Sequence, residues 1–531
     1  MASETGTQAA TPGGRATPCG ESRRRRPAVT PRAILLGTLL LPFHVYWIVT
    51  VEGIFHWSHC TAVSLYWNVV FNLLLLLGLN ALLKKYLPRW AFTQAEFVTI
   101  YVMIAVASAL AGHDTLQLFV PNISHPWYYA TEANRWETLI HPFIPRWLTV
   151  SDPVVVEALY DGHTTFYRPE FVLAWLGPTL WWCSLIFAVG VVMIGINVLV
   201  HRQWTQREKL GYPIVQLPLE MTRDGLNYNF FTNRILWAGL LLAAALDIYN
   251  GLHYFIPALP LIDVRHDGTH FIETQPWGRP WSALGRIWLP LYPFITALSF
   301  LLPADLSFSI WFFYLFRKAQ QVLAAAFPLP LAPELPYVNE QSMGAWIALF
   351  GYAFWVGRGY FGDLGRAILR GQLSHEMDSS EPMSHRAALV IVLGAMAYIL
   401  WFCLRAGMSV PVVAVFFAFA FMLHTAITRM RAELGPPAHE MASTMNAPVF
   451  LRDWVGTKAL GPHNIVMFPF FWWLTGRGYR TTPMPIQLEG LKMGEVSQAE
   501  PQRLALAMAL AFILGPLLTH WFFLHLTYMQ G

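Results

Sequence analysis

Asp247 lies deep inside the apolar run ILWAGLLLAAALDIYN, where an ionisable side chain is expensive and therefore points to a function by default. Asn250 and Tyr254 share a helical face with it, so the three could line a polar stripe that binds a proton or a cation. The plainer role for Asp247 is a hydrogen bond to a neighbouring helix. Asp305 marks a second place, LLPADLSFSIWFFYLF, where Pro303 ends one apolar run before Ser307 and Ser309 open the next. An apolar stretch broken at an acid is a transporter-like feature, because helix ends and unwound backbone can bind ions and substrate there. Arg317 and Lys318 follow about three turns on. Within a membrane they would hold an anion, and at its surface they would snorkel to water.

Other polar groups carry weaker signals. His113 and Asp114 adjoin at the end of an apolar run, where an acid/base pair could face a lipid headgroup. No His-Glu-x-x-His or Gly-x-Ser-x-Gly motif accompanies them, and no Walker A sequence appears, so neither a hydrolase nor an ATP-driven engine is indicated. Asp263, His266 and His270 crowd one loop without a metal-ligand pattern, and solvated loop residues are the expected reading. Asn68 and Asn72 share a helical face and suit interhelical hydrogen bonds, and His44 suits a single bond in the core. Glu96 sits at a helix start, where a carboxylate complements the dipole. Cys19, Cys60, Cys183 and Cys403 are too scattered for a disulfide framework or a zinc site. No metal or organic cofactor is expected.

The elements that must position these residues are membrane helices. With 55% hydrophobic and only 12% charged residues, the chain could not keep its apolar surface in water. Its apolar blocks mostly reach the roughly 20 residues that a bilayer crossing needs. Inside lipid every backbone polar group must be bonded within its segment, which makes the blocks helices. The fold class is therefore all-α, a polytopic transmembrane bundle of about 11–12 segments with an aromatic-rich external loop. The segments are expected at Ala33–Val51, Val63–Leu83, Gln94–Gly112, Phe171–Val200, Ile235–Ile256, Ile287–Leu302, Leu306–Phe327, Met343–Val356, Ala387–Leu404, Val410–Ile427 and Leu504–Leu526. Ile465–Leu474 is short and reads as re-entrant or interfacial. A net charge of +4 over 531 residues gives no sign of nucleic-acid binding.

Residues 1–31 form a basic tail of disordered composition, with Arg23, Arg24, Arg25 and Arg26 as a topogenic anchor, and residues 32–531 form the membrane domain. The positive-inside rule puts the N-terminus in the cytoplasm of a cell whose inner membrane holds the bundle. The external loops are then 113–170 and 257–285, and the cytoplasmic connections 201–234 and 358–386. The first external loop is too rich in Trp, Tyr and Pro for a flexible linker and is expected to fold down as a cap. Arg429, Arg431 and Glu433 close the tenth segment, with Gly435, Pro436 and Pro437 as its stop signal.

Four stretches, REKLGYPIVQLPLEMT (207–222), LLPADLSFSIWFFYLF (301–316), RMRAELGPP (429–437) and HPWYYATEANRWETLIHPFIPRW (125–147), resemble a poorly characterised family of prokaryotic membrane proteins. That family looks like a distant branch of the oligopeptide transporter superfamily. Its marker residues here are Arg207, Glu208, Lys209, Pro213, Glu220, Arg431 and Glu433. The resemblance implies secondary transport of a small peptide-like or metal-chelate solute, coupled to protons. Asp247, Asn250, Asp305, Arg317 and Lys318 are then the candidates for coupling and solute contact. Superfamily members have more helices than this chain shows, so a second membrane chain supplying further helices, or another copy, is an expected partner beside the bilayer and the solute. The alternatives are a non-transporting subunit or scaffold of a split complex, and a membrane-embedded transferase.

Overall fold

The computed structural model describes residues 29–262, 271–288, 293–300, 302–327, 335–370, 381–439, 446–476 and 479–531. The arginine run 23–26, Cys19 and the loop residues Asp263, His266 and His270 lie outside them.

The main helices are α1 (Pro31–Ile48), α2 (Trp67–Tyr86), α3 (Gln94–Ala111), α4 (Pro169–Arg202), α5 (Arg234–Phe255), α6 (Ala304–Ala326), α7 (Val338–Val356), α8 (His385–Arg405), α9 (Val410–Leu434), α10 (Pro483–Val496) and α11 (Pro501–Gln530). Among the described residues eight stretches are long and apolar enough to cross a membrane: those carrying α1, α2, α3, α4, α5, α8, α9 and α11. Strand structure among the described residues is one antiparallel ladder, β1 (Phe271–Ile272) on β2 (Ile287–Trp288). The protein is a multi-pass helical bundle.

Local sequence explains the helix ends. Thr30 caps α1 ahead of Pro31, and Thr93 caps α3 in a reciprocal box with Glu96. Glu96 also pairs with Arg32 at 2.6 Å, so the carboxylate at this helix start joins α3 to α1. Gly435 takes the left-handed conformation that ends α9, ahead of the two prolines.

Three expected segments change character. Among the described residues of 287–302 there is no span: β2 ends at Trp288, and the seven-residue helix Pro293–Ser299 follows. Pro293 opens that helix, at the position where a missing amide donor costs nothing. Residues 306–327 and 343–356 do lie in helices, α6 and α7, but neither is among the eight. Arg317, Lys318, Gln320 and Gln321 dilute the apolar content of α6.

The centre of the bundle is α3, in which every residue after Gln94 is buried. It is wrapped by α1, α10 and α11, and α4 packs on α8, α10 and α11. A helix apolar all round is stable only when buried all round. Short helices between 118 and 161 fold back over one end of the bundle. They are tied down by Trp182 Nε1 donating to Leu148 O and Tyr528 Oη donating to Val155 O, each at 2.9 Å. Gly162, at φ +66°, lies so close to Gly531 that a Cβ would meet its backbone nitrogen at 2.2 Å.

Candidate functional site

The central helix does not run straight through. After Ala111 the chain extends at Gly112, turns through a π-type segment (His113–Gln117) and resumes as the short helix Leu118–Asn122. Thr115 sits inside the turn at φ −115°, ψ −109°, outside helical geometry. A break frees carbonyls that need new donors. The Thr115 hydroxyl reaches Ala109 O and Leu110 O at 2.8 Å and Gly112 O at 2.9 Å, and Gln117 Nε2 donates to Ala111 O at 2.7 Å. The interruption is thus built and satisfied, and π-type turns of this kind concentrate at functional sites.

A second interruption faces it. Residues 457–475 run as a kinked helix, a 3-10 turn (Phe468–Phe471) and a last helical turn (Trp472–Thr475). Gly476 then extends the chain, which re-enters helix at Pro483, the start of α10. The two breaks touch through glycine. A Cβ on Gly112 would come within 2.6 Å of Thr481 Cγ2 and of Thr61 Oγ1, and one on Gly476 would meet Asp114 O at 3.1 Å.

One ion pair latches the breaks together. Arg480 Nε donates to Asp114 Oδ2 at 2.6 Å and its Nη2 to Oδ1 at 2.9 Å, a two-pronged geometry that fixes orientation as well as charge. Asp114 is buried and Arg480 mostly so. Between the breaks lies a cavity of about 20 Å³, room for a single water. Its walls include Asp114, Thr115, Trp473, Tyr479, Thr481 and, from α9, His424. His424 is held on both sides, by Thr482 Oγ1 at 2.6 Å and Leu474 O at 3.1 Å. In contrast Trp473 Nε1, Tyr479 Oη and Thr481 Oγ1 are buried with no hydrogen-bond partner. Buried polar groups are nearly always bonded, so three orphans on one small cavity mark a place for a polar guest.

A buried ion pair backs the site. Arg431 donates through Nε and Nη2 to Glu489 at 3.0 and 2.9 Å, and Nη2 also reaches Ser64 O at 3.0 Å. Near it His439 accepts or donates at Ser64 Oγ and Tyr479 O. Burial first, and then the charge of Arg431, push the His439 imidazole down from 6.5 to about 3, so it is neutral in the fold.

Two of the stretches marked by resemblance, 207–222 and 429–437, are fastened to each other. Glu208 meets Arg429 at 2.5 Å, and Arg429 meets Glu433 at 2.9 Å. Tyr212 N donates to Ala432 O at 2.8 Å, and Pro213 packs on Gly435. Lys209 takes a left-handed turn, the Arg207 guanidinium lies 4.8 Å from the Tyr360 ring, and Glu220 pairs with Arg223. Of these markers Arg431 reaches toward the cavity, through Ser64 and His439, which bonds Tyr479 O.

The coupling candidates lie elsewhere. Asp247 is exposed on α5, a helix with no buried residue, and Asn250 bonds Ile262 through both its amide atoms. Asp305 is exposed in the first turn of α6 and accepts from the adjacent Leu306 N at 3.0 Å. Arg317 is exposed on α6, and Lys318 donates to Leu284 O. None of the five meets the cavity. Sequence reading passed over Arg480, Tyr479, Thr481 and Glu489. They lie in a Gly-rich turn and a 14-residue polar helix that no search for long apolar runs detects. The adjacent His113–Asp114 pair was noticed, but its partner Arg480 stands 366 residues away.

A family model matches residues 23–531, nearly the whole chain. The chain belongs to DUF6785, a family of unknown function. No curated protein and no solved structure matches it. Within this DUF6785 chain no three His, Cys, Asp or Glu side chains among the described residues are grouped to hold a metal ion.

Proposed function

We propose that this DUF6785 chain is a secondary active transporter, proton-coupled, for a small peptide-like or metal-chelate solute. The observation that carries the reading is the pair of interrupted helices meeting at a buried cavity with three unpartnered polar atoms. Discontinuous helices packed around a polar centre are the way helical transporters present backbone and side chains to a solute. The resemblance of 207–222, 301–316 and 429–437 to a branch of the oligopeptide transporter superfamily supports the same class. In this state the cavity is closed, with room for about one water, so solute entry requires the breaks to part. Asp114 and Arg480 are a matched pair for a zwitterion: on opening, the carboxylate would meet an ammonium and the guanidinium a carboxylate. In this reading the bundle sits in the inner membrane with its N-terminus in the cytoplasm. The commitment of Asp114 to Arg480 argues against the transferase alternative, since it removes the acid/base freedom of the His113–Asp114 pair.

The test is uptake into proteoliposomes, driven by an imposed proton gradient, of pooled di- and tripeptides and of metal chelates. Wild type is expected to accumulate at least one pool, and Asp114→Asn is expected to lose it. A folded, oriented wild-type protein that moves nothing would shift the reading to a scaffold or split subunit, to be pursued by co-purification.

A further inference from the structure

The break in α3 is held from its other side by a carboxylate that no motif announces. Glu52 lies in the π-turn Val49–Ile54 that extends α1, and it is fully buried. Its Oε1 accepts from Thr61 N at 2.6 Å and Thr61 Oγ1 at 3.1 Å. Its Oε2 accepts from Thr61 Oγ1 at 2.9 Å and from the amide of His113 at 3.2 Å. Each of these donors is neutral. The groups that face it leave that balance unchanged. Cys60 and Tyr66 are on its own loop, His113 and Asp114 are on the α3 break, and Asp114 is of the same sign. Arg480, across the break, is bound to Asp114. On α11, which packs on the π-turn, His520 is bonded to Pro516 O at 2.8 Å.

Three histidines cluster beside the main-chain amide that this carboxylate bonds. The His113 ring is half-buried, with Nδ1 unpartnered, and the exposed rings of His56 and His59 approach it at centroid distances of 5.9 and 5.0 Å. Imidazole is the side chain that passes protons near neutral pH. A buried carboxylate in a membrane protein, next to such a relay, is where a proton is carried.

We infer that Glu52 is the proton-binding group of the site, loaded from water through His56, His59 and His113. One proton moves from water to an imidazole of this cluster and, across a bridging water, on to Glu52. The imidazole returns to neutral, the carboxylate loses its charge, and only O–H and N–H bonds form and break. An uncharged Glu52 accepts less strongly from the His113 amide, and His113 precedes Asp114, so protonation loosens the break beside the Asp114–Arg480 latch. The proton site stands on this geometry alone. Its use in coupling rests on the transporter reading above.

The test uses the full chain in phosphatidylethanolamine–phosphatidylglycerol liposomes, with protons as the probe and infrared difference spectra recorded across a pH step. A protonated-carboxyl band that titrates in wild type and in Asp114→Asn, and is gone in Glu52→Gln, is the expected result. The same band persisting in folded Glu52→Gln overturns the assignment. If Glu52→Gln does not fold, Thr61→Val removes one donor only and is expected to shift the band; an unshifted band counts against the site. Gradient-driven accumulation and solute exchange, measured with the peptide pool that wild type takes up, complete the test. Glu52→Gln is expected to lose accumulation about tenfold while keeping exchange, because only the proton-linked step loses its partner. Undiminished accumulation in that variant overturns the coupling role. Absence of wild-type uptake sinks the transporter reading, and the infrared result still decides the proton site.

Discussion

Asp114 and Asp247 are both acids at or in apolar helices, and the bundle treats them in opposite ways. Asp114 sits where two interrupted segments meet, buried, with an arginine from 366 residues away on both its oxygens. Asp247 sits on α5, exposed, on a helix whose residues all lie outside the core. The apolar neighbourhood that singles out Asp247 in the sequence reflects surroundings along the chain. Burial, a distant partner and a break in the backbone distinguish Asp114, and those are properties of packing. The inner bundle of α1, α3, α4, α9, α10 and α11 holds the built polar sites, whereas α5 and α6 carry polar residues that bond an adjacent amide or nearby loops.

The strongest way to break this contrast is Arg431→Ala. It leaves Glu489 buried and unpaired, a change that costs about 3–5 kcal/mol. Loss of monodisperse folded protein in detergent is expected, and Arg431→Met with Glu489→Leu should restore most of the melting temperature. A single variant as stable as wild type would mean that this pair does not organise the inner bundle.

Glycines offer a matched test. Gly112→Ala drives a Cβ to 2.6 Å from Thr481 and Thr61. Overpacking of that kind costs about 1–3 kcal/mol. Gly239→Ala on α5 meets nothing within 4 Å. It should be neutral or stabilise by up to about 1 kcal/mol through helix propensity. Thermal unfolding of the two variants compares the regions directly, and equal shifts would erase the distinction.

Charge removal sharpens the comparison at the level of function. Asp114→Asn should reduce uptake at least about tenfold, the equivalent of about 1.4 kcal/mol of solute binding. Asp247→Asn and Asp305→Asn should stay within about twofold of wild type, as for exposed groups with local bonds only. Reversal of that order would return the coupling role to α5 and α6.

Acid provides the gentlest probe. His439 is neutral in the fold, held down to about 3, and in an unfolded chain it titrates near 6.5. The unfolded state therefore binds the extra proton first. The contribution of His439 is fully present above pH 6.5 and declines as pH falls from there toward 3, by at most about 1.4 kcal/mol per pH unit. His439→Gln should flatten that limb of a melting-temperature profile, and an unchanged slope would show that other groups set it.

Legibility followed length scale. The capping role of Glu96 was readable because Thr93 and Glu96 are three apart and satisfy each other within one turn. The stop signal at Gly435–Pro437 was readable for the same reason. The span expected at 94–112 matches the helix Gln94–Ala111 with its cap Gly112, and gives no sign of the π-type turn after it, since Thr115 bonds carbonyls that only a broken helix leaves open. Where a span is expected at 287–302, the described residues show the end of β2 and a short helix that opens at Pro293. Helix α10 was not drawn at all, because Gln487 and Glu489 make it look polar while every neighbour that satisfies them is remote.

By itself the sequence determined that this chain is a helical membrane protein, because apolar residues in runs of bilayer length have no other stable form in lipid. It also determined the helix ends, whose caps are local. Only the tertiary structure decided which polar residues matter. The groups around the cavity come from five separate stretches of chain, and the Glu52 cluster from two. A buried charge is tolerated only where packing delivers its partner, and no spacing along the chain encodes that delivery.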